Sequence, residues 1–84
     1  MTAPLDLRHL PPPEPMQRIL DAVDALAPDA RLDALTPFRP DPLLPVLEQW
    51  GYAWRIDDLE GGGARIAICH RGQEAVLLAD RTAR

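Results

Sequence analysis

Ten prolines in a chain of 84 residues restrict where helices and strands can form. Proline lacks a backbone N–H and has a fixed φ, so it is tolerated in loops and in the first turn of a helix but not in a helix interior or a central strand. Eight of the ten fall in two clusters, at residues 11–15 and 37–45. Both clusters therefore predict a loop that leads into a helix.

Hydrophobic periodicity predicts the strands and helices around the proline clusters. Apolar and polar residues alternate, as in strands with one buried face, at residues 5–8, 31–35, 52–57 and 65–69. Helical spacing occurs at residues 13–27, and a second helix is predicted at 41–50, where Asp41 can cap the start and Gly51 can end it. The glycine-rich segment 60–63 joins the last two strands as a hairpin.

The order β-α-β-α-β-β predicts an α+β fold, a two-layer sandwich with two helices on one face of a four-stranded mixed sheet. A chain of this length has one modest core, so we expect a single domain over residues 1–70. We expect residues 71–84 to form a C-terminal extension that is either an added strand or partly disordered. Within it, residues 74–79 are expected to add a fifth strand or to cover the open sheet face. Trp50, Tyr52 and Trp54 are expected to point into the core.

The charge of the chain excludes several classes of partner. It carries nine arginines, no lysine and thirteen acidic residues, for a net charge of −4. Without a basic block it has no electrostatic match for a phosphate backbone or an anionic membrane, so neither nucleic acid nor a membrane is an expected partner. The absence of a signal peptide and of an apolar run of about 20 residues favours the cytoplasm.

Few residues in the chain carry reactive chemistry. Cys69 is the single cysteine, which excludes an internal disulfide and favours a reducing compartment. The chain has no serine, and no nucleophile with a base in reach or paired carboxylates is visible, so an enzyme is not expected. His9, Cys69 and His70 are suitable metal ligands, but the predicted strands place the histidines at opposite ends of the sheet, so no metal or cofactor is expected.

The N-terminal segment carries a family resemblance. A strand is followed by Pro13-Glu14-Pro15 at the start of a helix. This pattern resembles the opening of TusA-like (SirA-like) sulfur-carrier proteins, in which Gly-Leu-x-Cys-Pro-x-Pro leads into a helix. His9 stands in place of the glycine, and Pro12 stands in place of the persulfide-carrying cysteine. With the second proline cluster and the closing hairpin, residues 4–70 are similar to a Cys-less branch of that superfamily, the domain-of-unknown-function family DUF2249.

The resemblance has consequences for fold and for chemistry. It implies the same two-layer sandwich that the periodicity predicts. A persulfide carrier needs a thiolate at the start of the first helix, where the helix N-terminus lowers the thiol pKa. Because Pro12 offers no nucleophile, the resemblance implies a carrier scaffold without sulfur transfer, and it carries over no established activity.

The predicted site is the edge of the sheet where the first two strands end, because ligands of open α/β sheets gather there. Arg8, His9 and Arg39 can present positive charge beside helix N-termini, although Glu14 would compete with an anion. Phe38 is either a plug over the core, which is the favoured interpretation, or a contact for a partner. The candidate rim residues are Arg8, His9, Pro12, Pro13, Glu14, Pro15, Phe38 and Arg39.

Three functions remain open. The first is a non-catalytic accessory protein that docks another protein through this rim, with the open sheet face or an edge strand as further docking surfaces and a homodimer as an alternative. The second is a diverged sulfur-handling or redox carrier that uses Cys69, and the third is binding of a small anion or a metal at the rim. Cys69 is expected on the sheet face opposite the helices, where an inert small hydrophobe is the favoured interpretation.

Overall fold

The chain folds as a mixed sheet with both helices packed on one side, in a computed structural model that describes residues 4–11 and 13–77. The elements are β1 (Leu5–Asp6), α1 (Glu14–Asp24), β2 (Arg31–Thr36), a 3₁₀ turn (Asp41–Leu43), α2 (Leu44–Trp50), β3 (Tyr52–Asp58) and β4 (Ala64–His70). Residues 75–77 add a helical turn. The predicted order and the two-layer α+β sandwich are therefore confirmed.

The strand order β1-β2-β4-β3 places the last strand inside the sheet. β1 runs parallel to β2, as a strand-helix-strand crossover requires, and β4 runs antiparallel to both of its neighbours. The carboxyl ends of β1 and β2 therefore share one edge of the sheet. The carboxyl end of β4 lies at the other edge, where Cys69 is paired with Arg31 at the start of β2.

The core lies between the helices and one face of the sheet. Residues of both helical segments interlock with alternate residues of β2 and β4, because successive strand residues face opposite sides of a sheet. Burial of each large aliphatic side chain contributes about 1.5–3 kcal/mol. The fully buried members of this core are Ile19, Val23, Ala34, Leu43, Leu47, Ile66 and Ile68.

The opposite sheet face is partly covered by the segment that follows β4. Leu77 packs with Ala67 and Cys69 in a second buried cluster. The Arg31 guanidinium donates to the carbonyl oxygen of Val76 at 2.9 Å, which holds the segment against β2. Because residues 75–77 are helical, the predicted fifth strand is wrong for the described part of 74–79, and the alternative of a cover over the sheet face is correct there. Residues 78–84 lie outside the described residues.

Several element ends differ from the periodicity by a few residues. The helix predicted over 13–27 ends at Asp24 because the backbone N–H groups of Ala25 and Leu26 bond three residues back, which tightens the last turn. The second helix begins with a 3₁₀ turn whose first residue is Asp41, so Pro40 occupies the cap position and the predicted cap by Asp41 is wrong. Gly51 ends it in the left-handed conformation, with φ of 89°, as predicted.

The tryptophans separate into an exposed and a packed residue. Trp50 is 50% exposed at the end of α2, so its predicted inward orientation is wrong. Tyr52 and Trp54 are partly buried and pack against the main core, and the Tyr52 hydroxyl donates to the carbonyl oxygen of Val23 at 3.2 Å. Within residues 4–11 and 13–77, no helix combines the length and apolar content needed to cross a bilayer.

Candidate functional site

The loop after β2 is held in place by a buried threonine. Thr36 is 2% exposed, and its hydroxyl donates to the carbonyl oxygen of Phe38 at 2.6 Å and lies 3.3 Å from that of Ala64. In the hairpin turn, directly before β4, Gly63 has φ of 87° and its α-carbon faces the carbonyl oxygen of Thr36 with no room for a β-carbon. The start of the loop is therefore fixed against the hairpin, and Phe38 lies in the loop two residues after Thr36.

An apolar groove of about 200 Å³ lies between this loop and the start of α1. Phe38 forms one wall and is 67% exposed, so it is not a plug over the core, and that prediction is wrong. Leu43, which follows the loop in sequence, is fully buried in the main core, whereas Phe38 is not a member of that core. The residues that line the groove are Pro13, Pro15, Met16, Thr36, Pro37, Phe38, Arg39, Pro40 and Pro42.

Arg39 ties the outer side of the loop to the end of β3. Its guanidinium donates to the Asp58 carboxylate at 2.9 Å and lies 3.6 Å from the Asp41 carboxylate. The hydrogen bond with Asp58 and the two negative charges raise the pKa of Arg39 above its usual value. One cation between two carboxylates leaves this side of the groove with a local charge of −1.

The other cation predicted for an anion site is also paired. Arg8 makes a two-pronged contact with Asp6, at 2.8 and 2.7 Å. This hydrogen bonding is the main reason that the pKa of Asp6 is lowered to about 2. Glu14, in the first turn of α1, lies 3.9 Å from Arg18 one turn later. The rim therefore presents ion pairs rather than a free cluster of arginines.

The structure brings together only part of the predicted rim. Pro13, Pro15, Phe38 and Arg39 line one groove, whereas Arg8, His9 and Glu14 lie outside its lining. Pro12 lies outside the described residues. The second proline cluster was predicted only as a loop that leads into a helix, and its role as a wall of the groove was missed, although the concentration of prolines was a usable signal. The lining residues that had not been singled out as candidates are Met16, Thr36, Pro37, Pro40 and Pro42.

Cys69 and His70 lie at the far edge of the sheet. Cys69 is fully buried in the second cluster, on the face opposite the helices, as predicted. Burial and the nearby charge of Glu74 raise the pKa of its thiol. His70 donates from Nε2 to the carbonyl oxygen of Leu26 at 3.0 Å and contacts the Tyr52 ring. No group of three His, Cys, Asp or Glu side chains suited to a metal occurs in the described part of the chain.

The comparisons with known proteins add a family. A model described as "Uncharacterized conserved protein (DUF2249)" matches residues 4–70, which include both proline clusters and all four strands. No curated protein and no solved structure gives a significant match. Since the family model covers most of the sequence, and the groove and sheet lie within the matched range, the chain belongs to the DUF2249 family.

Proposed function

We propose that the protein is a non-catalytic interaction module, a TusA-like scaffold without the persulfide cysteine, that binds a protein partner at the proline-walled groove. The observation that carries the proposal is the 67% exposure of Phe38 beside an apolar groove. A large aromatic side chain held exposed on a clamped loop is typical of an interface anchor, because little conformational entropy is lost when it is covered.

The size of the groove favours a side chain as its occupant. Sites for cofactors and drug-sized ligands enclose roughly 300–1,000 Å³. At about 200 Å³ the groove is smaller, and its walls are mainly proline rings, the Met16 side chain and the Phe38 ring. One large aromatic side chain of a partner is suited to this space, as in interfaces where a few aromatic anchors supply most of the binding energy.

The charges beside the groove favour a basic neighbour for that anchor. Arg39 is shared between Asp41 and Asp58, which leaves a local charge of −1, and the whole chain has a net charge of −4. An acidic partner segment would be repelled, whereas a lysine or arginine next to the anchor would be attracted. The proposed partner therefore presents an aromatic side chain flanked by basic residues.

The burial of the thiol favours this proposal over sulfur handling through Cys69. Cys69 has no exposed surface, and its raised pKa disfavours the thiolate that accepts a persulfide. The rim arginines already bind carboxylates of the chain itself, which also makes a small anion a weaker candidate. A buried free thiol is compatible with a reducing cytoplasm, which we propose as the location.

A photocrosslinking experiment tests the interaction site. The phenylalanine analogue p-benzoylphenylalanine is placed at position 38 in cells of the source organism, and at position 50 as a matched exposed aromatic control at the far end of α2. We expect a discrete crosslinked protein from position 38 only. The same crosslinks from both positions, or none from position 38, would overturn the proposed site.

A selection from a random peptide library tests the chemistry of the partner. Peptides are selected on the wild-type protein and counter-selected on Phe38→Ala. We expect the surviving peptides to share one aromatic residue with adjacent basic residues, and their affinity to fall at least tenfold on Phe38→Ala but not on Trp50→Ala. Acidic or anchor-free peptides would contradict the proposed partner.

A further inference from the structure

β3 is an outer strand of the sheet with a defined set of outward-facing backbone groups. One side of β3 is hydrogen-bonded to β4, and no strand in the described residues pairs with the other side of β3. The N–H of Leu59 donates to Gly63, and the carbonyl oxygen of Gly51 accepts from Arg71. In an antiparallel pair, every second residue exchanges both backbone hydrogen bonds with the residue opposite. The backbone N–H and C=O groups of odd-numbered β3 residues therefore point to β4, and those of even-numbered residues point outward.

The outer edge of β3 lacks two common obstacles to pairing. The strand contains no proline, and its register with β4 runs without a bulge from Tyr52 to Asp58. Trp54 and Ile56, whose backbone groups face outward, also have partly buried apolar side chains that pack on the main core. A second strand beside this edge would extend the apolar layer under the helices.

Two β3 strands related by a two-fold axis pair antiparallel, and one residue, the centre of the pairing, then lies opposite its own copy. The charges along β3 favour one choice of this central residue. A centre at Arg55 or at Asp57 places like charges directly opposite, and a centre at Trp54 leaves Arg55 opposite an alanine. A centre at Ile56 places Arg55 of each copy opposite Asp57 of the other. Odd-numbered residues then form the non-hydrogen-bonded pairs, in which α-carbons are only about 4.5 Å apart and side chains interact most closely.

We propose that two copies of the chain pair through antiparallel β3 strands, with Ile56 opposite Ile56 and two reciprocal Arg55–Asp57 pairs. The sheet then continues across the two-fold axis as eight strands, with all helices on one face. Arg55 and Asp57 are already in contact on the open face, with guanidinium and carboxylate 3.4 Å apart. In the dimer, the Arg55–Asp57 ion pair of one copy lies beside that of the other, with each arginine opposite an aspartate. Pairing therefore introduces no charge without a partner.

Charge reversal measured by sedimentation equilibrium tests the pairing. We expect the wild-type protein to show a monomer–dimer equilibrium. Arg55→Asp and Asp57→Arg each convert both cross-strand pairs into repulsions and should raise the dimer dissociation constant at least about tenfold. The double variant Arg55→Asp with Asp57→Arg restores opposite charges and should return to within about threefold of wild type.

Two controls separate the pairing from general charge effects. Arg18→Asp changes the net charge as Arg55→Asp does, but on α1, away from β3. It should leave the dimer dissociation constant within about twofold of wild type. A mixture of the Arg55→Asp and Asp57→Arg proteins should form a heterodimer with a lower dissociation constant than the homodimer of either variant. The reason is that every cross-strand pair in the heterodimer is of opposite sign. Circular dichroism of each variant checks that the fold is retained.

Hydrogen exchange identifies the edge directly. The amides of Trp54, Ile56 and Asp58 should gain protection as protein concentration rises, whereas those of Arg55 and Asp57 should be protected at every concentration. A protein that remains monomeric at about 1 mM overturns the proposal. It is equally overturned by a dimer that tolerates both reversals, or by protection gained elsewhere in the chain, which would show a different interface between the copies.

Discussion

Gly63 lies against the backbone of Thr36 so closely that a methyl group on its α-carbon would overlap the Thr36 carbonyl oxygen. This contact joins the residue before β4 to the last residue of β2, where the loop that carries Phe38 begins. It explains why a glycine with φ of 87° is required at this position. The groove therefore depends on a contact between one of its lining residues, Thr36, and a glycine outside the lining.

Gly63→Ala should lower the free energy of unfolding by about 3 kcal/mol, since it adds steric overlap to the cost of a left-handed backbone. Gly61→Ala is the matched control, because Gly61 has φ of 89° and no atom within 4 Å of the new methyl group. We expect the control to lose about 1 kcal/mol. Equal losses in urea denaturation would show that the contact with Thr36 contributes nothing.

Thr36→Val should lower the free energy of unfolding by about 1 kcal/mol and loosen the Phe38 loop, because the valine cannot donate to the carbonyl oxygen of Phe38. Thr36→Ser keeps the hydroxyl and should retain the position of the loop. Urea denaturation measures stability, and hydrogen exchange in the loop measures its order. Thr36→Val with unchanged stability and exchange would contradict the assigned role.

Cys69 should react slowly with thiol reagents in the native protein, because it is buried beneath Leu77. Leu77→Ala opens this cover and should increase the labelling rate at least tenfold, whereas Leu77→Met keeps the volume and should change it little. The rates are measured with a chromogenic disulfide reagent. Fast labelling of the wild-type protein would show that the thiol is accessible.

The raised pKa of Cys69 predicts a dependence of stability on pH. The folded state favours the neutral thiol, so the stabilisation is fully present below the unfolded pKa of about 8.5 and is lost as pH rises through the folded value. Between pH 7 and 10 the wild-type protein should lose more stability than Cys69→Ala. Identical losses for the two proteins would refute the shift.

Asp6 should titrate at about 2, because Arg8 donates to its carboxylate. Its contribution to stability is therefore present above the ordinary pKa of 3.8 and is lost as pH falls towards 2. Arg8→Gln should return the pKa towards 3.8, and Arg18→Gln should leave it unchanged. Carboxyl carbon shifts followed by NMR report both values, and an unshifted Asp6 in the wild type would contradict the pairing.

The order of elements and the position of the rim were predictable from local patterns. Period-two and period-3.6 spacing predicted four strands and two helices, and the prolines marked where each helix begins. The parallel crossover then required β1 and β2 to end at one edge of the sheet. The face of Cys69 followed from alternation with Ile66 and Ile68, because side chains on a strand alternate strictly between faces.

What surrounds each side chain followed only from the three-dimensional packing. Phe38 and Trp50 are large and apolar, and nothing local distinguishes a buried aromatic from an exposed one. Leu43, which follows the Phe38 loop in sequence, is fully buried in the main core, and Leu77 covers Cys69 from the helical turn after β4. Local spacing specifies which way a residue faces along its own element, whereas burial depends on which distant residues occupy the same space.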